Sequence, residues 1–149
     1  MLLGNWTAGV ENYEEAFKWN KKAAENGDSD AMYNLGIMYY NAKGISQNYT
    51  EAFNWYKKAA ENGVSEAMYN LGTMYENGEG ISQNHTEAFN WFIKSAKNGL
   101  PAAMYNLGVI YFNGDGVQQN LDEAKKWFKK AVENGDSNAK QTLKDLGWD

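Results

Sequence analysis

AMYNLG occupies residues 31–36, and the same six letters return at 67–72 and 103–108, each copy 36 residues after the last. A fixed period of about 20 to 50 residues marks a supersecondary unit stacked on copies of itself, because one unit alone cannot bury its apolar face. The period runs outward from these six letters. Trp19, Trp55, Trp91 and Trp127 keep it, as do Phe17, Phe53 and Phe89, and Asn26, Asn62, Asn98 and Asn134. Aligning residues 29–64 with 65–100 leaves 25 of 36 positions identical.

On a helical wheel, residues 30–41 put Ala31, Met32, Leu35, Gly36, Met38 and Tyr39 on one side, with Asp30, Tyr33, Asn34, Ile37, Tyr40 and Asn41 on the other. The first set is a core stripe of an amphipathic helix. Gly36 within it costs about 1 kcal/mol of helix propensity relative to Ala, so its return at Gly72 and Gly108 predicts a close approach by a neighbouring helix. Pro101, just ahead of the third copy, suits a first helical turn.

A second helix begins after Asn48, where Asn48 and Glu51 form a capping-box pattern repeated as Asn12 with Glu15, Asn84 with Glu87, and Asn120 with Glu123. Three Asn-x-Thr triplets, at Asn5, Asn48 and Asn84, match a glycosylation acceptor, but the repeat assigns the latter two to capping. Ala52, Phe53, Trp55, Tyr56, Ala59 and Ala60 form the predicted inner face, with Trp55 and Trp91 as core anchors. Glu51, Asn54, Lys57, Lys58 and Glu61 form a solvated outer face. Each second helix ends in Asn-Gly, as at Asn62 and Gly63, which suits a left-handed cap. The helices of a pair are joined by NAKGISQN, NGEGISQN and NGDGVQQN, with Gly44, Gly80 and Gly116 at the turn. NGDG carries oxygen ligands but lacks the order and closing Glu of an EF-hand loop, so these segments are read as turns, with no metal expected.

Composition narrows the function. The formal charge is −5, and all 14 cationic side chains are lysine, a poor endowment for neutralising phosphates and reading bases; nucleic acid is not an expected partner. The absence of cysteine removes disulfides and thiolate chemistry. MLLGNWTAGV lacks the basic and apolar regions of a signal peptide, and no apolar run of membrane-spanning length follows, so a soluble chain without membrane insertion is expected, its compartment unassigned. The single histidine, His85, is expected exposed in a first helical turn, and one histidine without a Ser-x-x-Lys motif gives no catalytic constellation. We expect no enzyme and no cofactor.

The motifs AMYNLGxMY, NGxG(I/V)xQN and EAxxWxxKA resemble the Sel1-like repeat, a relative of the tetratricopeptide repeat. The resemblance covers residues 11 to about 147. It implies an all-α, right-handed α-solenoid of stacked antiparallel helix pairs, with first helices lining a concave face and second helices on the back. It also implies a scaffold or adaptor for protein partners, with an inhibitor or immunity-type binder of one protein as a sharper variant and a β-lactamase-like hydrolase as the remote alternative. The expected organisation is one domain, 1–149, comprising a truncated unit at 1–28, full copies at 29–64, 65–100 and 101–136, and a capping helix at 137–149. Both ends depart from the pattern. MLLGNW keeps a remnant of a first helix, Asn20 stands where Tyr56, Phe92 and Phe128 stand and is expected to be wet, and residues 139–144 keep the Ala and Leu core positions among polar neighbours.

The candidate partner-binding residues point away from the core on the first helices: Tyr33, Tyr69 and Tyr105; Asn34, Asn70 and Asn106; and Tyr40, Glu76 and Phe112. An Asn amide both donates and accepts, so a row of them can pair with the backbone of an extended peptide, or equally hold the stack together. In related tetratricopeptide domains asparagines on this helix clamp peptide backbones. Asp30, Glu66 and Glu76 share this face and no lysine falls in its repeated stripe, so the expected partner of a monomeric chain is a neutral or basic segment rather than an anionic one.

Overall fold

The computed structural model describes residues 12–149. Among these residues eight α-helices follow one another: α1 (Tyr13–Glu25), α2 (Ser29–Asn41), α3 (Tyr49–Glu61), α4 (Ser65–Asn77), α5 (His85–Lys97), α6 (Pro101–Asn113), α7 (Leu121–Glu133) and α8 (Ser137–Leu146). No strand occurs among the described residues. Each helix packs chiefly on its immediate neighbours in sequence, so the antiparallel pairs α2/α3, α4/α5 and α6/α7 stack as a solenoid with the 36-residue period. The N-terminal remnant of a first helix expected in MLLGNW lies outside the described residues.

The recurring glycines of the first helices mark where the pairs close. A Cβ at Gly72 would stand 2.7 Å from the ring of Phe92, and one at Gly108 would stand 2.5 Å from the ring of Phe128. The ring of Tyr56 lies on Gly36 in the same way. Tyr56, Phe92 and Phe128 are thus the buried anchors of the second helices, at 3%, 0% and 1% exposure. This corrects the expected role of the tryptophans. Trp55 and Trp91 are half-buried at the edge of the inner face, and each is covered by the lysine one turn later, Lys58 and Lys94, both 4.5 Å from the ring centroid. The wheel groups Trp55 with Tyr56, but only the ring opposite a glycine reaches the centre of the pair.

Successive pairs are joined by aromatic edges: Phe17 meets Tyr39, Phe53 meets Tyr75 and Phe89 meets Tyr111, with centroids 5.5, 5.3 and 5.6 Å apart and nearly perpendicular planes. The second helices end as predicted. Gly63 takes φ +93°, and Val64 N–H reaches back to the carbonyl of Ala59 at 3.1 Å, satisfying a carbonyl the helix leaves over.

Only half of the predicted capping box forms. Asn48, Asn84 and Asn120 each accept from the backbone N–H three residues on, at 3.0 Å. Their own N–H groups donate instead to the carbonyls of Tyr39, Tyr75 and Tyr111, at 2.9, 2.8 and 2.9 Å, so the glutamates are not needed to satisfy them. Gln47, Gln83 and Gln119 add a second tether, donating to the carbonyls of Tyr40, Glu76 and Phe112 at 2.9, 2.7 and 2.7 Å. Each connecting loop is in this way clamped to the last turn of the preceding helix, whose carbonyls would otherwise lack partners. At Asn12 the backbone is already helical and the side chain makes no such cap.

Asn20 is also corrected. It is buried, at 3% exposure, with Nδ2 donating to the Ala16 carbonyl at 2.8 Å and Oδ1 accepting from Asn34 Nδ2 at 3.2 Å. Two hydrogen bonds, not water, satisfy the polar group that replaces an aromatic ring.

Candidate functional site

Tyr33, Asn34 and Tyr40 stand on α2, Tyr69, Asn70 and Glu76 on α4, and Tyr105, Asn106 and Phe112 on α6, all half-buried on the side of the first helices away from the core stripe. The stripe spacing puts them there: with Leu35, Leu71 and Leu107 fully inside, residues one and two positions earlier must rotate to the opposite flank.

They do not form one continuous site. Tyr33, Tyr40, Tyr69 and Asn70 share a cavity of about 380 Å³ between α2 and α4, together with Tyr56 from α3 and with Ile37, Thr73 and Met74. Tyr33 leans on Tyr56 at 5.9 Å between centroids, Tyr40 leans on Tyr49 at 4.9 Å, and Tyr40 Oη donates to Glu79 Oε2 at 2.9 Å. Asn34 turns away into its bond with Asn20. Glu76 lies where the charges of His85 and Asp115 reach it, the first easing and the second opposing its ionisation. Tyr105 Oη shares a hydrogen bond of 3.4 Å with Thr142 Oγ1 of α8, and Phe112 packs edge-on against Trp148 at 5.9 Å. A smaller depression of about 190 Å³ between Phe112, Phe128 and Leu146 closes that end of the face.

The three asparagines therefore differ. Asn34 holds the stack. The amide of Asn70 faces the hydroxyls of Tyr33 and Tyr56 and favours their ionised forms, against the stronger effect of burial. The side-chain amide of Asn106 makes no hydrogen bond with any described residue: its counterpart of Tyr56 is Phe92, which has no hydroxyl to offer.

Burial dominates the electrostatics of the face, holding the phenols of Tyr33, Tyr40 and Tyr56 and the carboxyl of Glu76 toward their neutral forms. Burial, then the bond to Glu79, pushes the Tyr40 phenol up to about 12. Burial and the Glu66 carboxylate raise Tyr33, and burial raises Tyr56 further. Burial also raises Glu76. The one ion pair among the described residues is Lys126 with Glu123 on α7, so Glu66, Glu76 and Glu79 have no cation at salt-bridge distance among those residues. No lysine lines the 380 Å³ cavity. His85 is exposed, no three His, Asp or Glu side chains gather as metal ligands among the described residues, and no described helix is long and apolar enough to cross a membrane.

The motifs did not reveal Tyr56, Thr73 and Glu79 as parts of the site. Tyr56 reads as core because its counterparts are Phe92 and Phe128, and its extra hydroxyl was the available signal. Glu79 sits in a connecting loop whose return toward the preceding helix is set by tertiary tethers.

The Sel1 repeat family model matches residues 3–28, 29–64, 65–100 and 101–136. Among solved structures, the chain is similar to a Sel1 repeat protein from Oxalobacter formigenes, with 34% identity and a TM-score of 0.83 over 87% of this chain and 53% of that one. It is similar to c5321, a protective antigen present in uropathogenic Escherichia coli strains displaying an SLR fold, with 39% identity and a TM-score of 0.83 over 85% of this chain and 27% of that one. Cysteine rich protein B of Helicobacter pylori matches with 27% identity and a TM-score of 0.68 over 85% of this chain and 96% of that one. The chain thus spans about half the length of the Oxalobacter protein and about a quarter of c5321. No curated protein matches it.

Proposed function

The chain belongs to the Sel1 repeat family, whose members generally mediate protein–protein interaction, and from that premise we propose that it is a non-catalytic, monomeric interaction module that takes an extended, neutral or basic segment of a partner along the face of α2, α4 and α6. The observation that carries this reading is the pairing of a tyrosine-walled cavity with carboxylates that have no cation beside them among the described residues. Asn70 and Asn106 offer amides to a peptide backbone, and Tyr33, Tyr69 and Tyr105 offer ring faces to its side chains. Asn34 contributes through the stack instead.

A peptide array probed at low and moderate salt tests the reading, with an Asn70→Ala, Tyr69→Ala double variant alongside. Binding of neutral and basic peptides that weakens in the variant is the expected result. Preference for acidic or C-terminal carboxylate peptides, or unchanged binding in the variant, would move the site to another surface.

A further inference from the structure

The cavity between α2 and α4 is built differently from the matching junction one unit on. Its walls carry four phenols, Tyr33, Tyr40, Tyr56 and Tyr69. At the next junction the positions of Tyr40, Tyr56 and Thr73 hold Glu76, Phe92 and Val109, leaving two phenols, Tyr69 and Tyr105. Its volume of about 380 Å³ equals roughly a dozen waters at about 30 Å³ each, ample room for one long side chain.

The chemistry of the walls selects that side chain. Aromatic faces attract a cation through the ring quadrupole. Glu79 is joined to the lining through Tyr40, with Oε2 taking the Tyr40 hydroxyl and Oε1 taking Asn77 Nδ2 at 3.4 Å, and it has no cationic partner among the described residues. A carboxylate accepts up to about four hydrogen bonds, so Glu79 retains acceptor capacity for a positive guest. Glu66 adds negative charge beside Tyr33. A guanidinium is planar, stacks on aromatic rings and is less strongly hydrated than an ammonium, so it loses least on entering such a site.

We propose that this cavity is an anchoring pocket for a single arginine of the partner, its stem along Ile37 and Met74, its guanidinium stacked among the tyrosines and directed to Glu79. The assignment deepens the peptide-binding reading and rests on it for the arginine's source. It makes the junction of the first two full copies the place where the partner's register is set.

The test is a titration of the intact protein with N-acetyl-arginine methylamide, followed by NMR of labelled tyrosine rings, against N-acetyl-citrulline methylamide, which keeps the shape and loses the charge. Saturable shifts at Tyr33, Tyr40 and Tyr69, with Tyr105 unmoved and citrulline roughly tenfold weaker, are expected. Glu79→Gln, in an accessible loop where folding can be verified by circular dichroism, should weaken the arginine response and its salt dependence together. Equal response to both compounds, shifts centred on Tyr105, or an unaffected Glu79→Gln variant would overturn the pocket. An array that binds peptides without regard to arginine sinks the pocket and spares the wider reading. A silent array beside a saturable arginine titration does the reverse.

Discussion

The ring of Phe92 rests on the backbone of Gly72, so close that a Cβ there would stand 2.7 Å from it. Glycine in mid-helix is there to admit a ring. Gly72→Ala gains about 1 kcal/mol of helix propensity, but it forces a fully buried ring to move, and overpacking costs typically about 1 to 3 kcal/mol. We expect net destabilisation, read as a lower urea midpoint; an unchanged or higher midpoint would show that the ring shifts freely.

The division of labour between neighbouring aromatics gives a second expectation. Phe92→Ala should cost about 3 to 5 kcal/mol, as for other ring truncations in packed cores. Trp91→Ala, at a half-buried edge, should cost distinctly less. Equilibrium unfolding of the two variants decides, and a larger loss at Trp91 would restore the tryptophan as the anchor.

Lys58 is exposed yet lies 4.5 Å above Trp55. Lys58→Ala should therefore lower stability by about 0.5 to 1 kcal/mol, the worth of an exposed cation–π contact. Lys57→Ala, equally exposed and over no ring, serves as the control. Identical effects would remove any energetic role for the contact.

Ala42 ends α2 with φ +58°, where the corresponding Gly78 and Gly114 end α4 and α6. A left-handed conformation costs a residue with a Cβ roughly 1 to 2 kcal/mol. Ala42→Gly should consequently raise stability by up to about 1 kcal/mol, net of the larger entropy glycine loses on folding. Thermal unfolding checks it, and a fall in the midpoint would place the strain elsewhere.

The phenols of Tyr33, Tyr39, Tyr40, Tyr56, Tyr75 and Tyr111 are all raised above 10.0 by burial, Tyr40 to about 12. The unfolded chain gives up these protons first. Stability held by the neutral phenols is therefore intact below about pH 10 and lost as pH rises toward about 12. Urea midpoints near pH 8 and near pH 11 should differ in that direction, with a late wave of tyrosinate absorbance in the folded protein. A single wave near pH 10 without loss of stability would contradict it.

The helices, their pairing and the core stripe were legible because the period fixes all three at once: Leu35, Leu71 and Leu107 could not be inside without placing Tyr33 and its copies outside. The site was legible only as a face. Whether Asn34 meets a peptide or Asn20 depends on one substitution 14 residues away, and periodicity is blind to substitutions that break it. The wheel likewise treats Trp55 and Tyr56 as equals, since 100° of rotation cannot say which ring lies opposite a glycine.

The cavity draws Tyr33, Tyr40 and Tyr56 from one copy and Tyr69, Asn70 and Thr73 from the next, while the core contacts that hold each pair together, such as Phe92 on Gly72, lie within a copy. Recognition is thus a property of adjacency, while each unit carries its own central ring-on-glycine contact. Exchanging the order of copies, or splicing one between two others in steps of a whole period, would create new pockets at every altered joint while the ring-on-glycine contact inside each copy stays paired. A gene that duplicates and shuffles such segments can vary what it grips while each copy keeps its own ring and glycine matched.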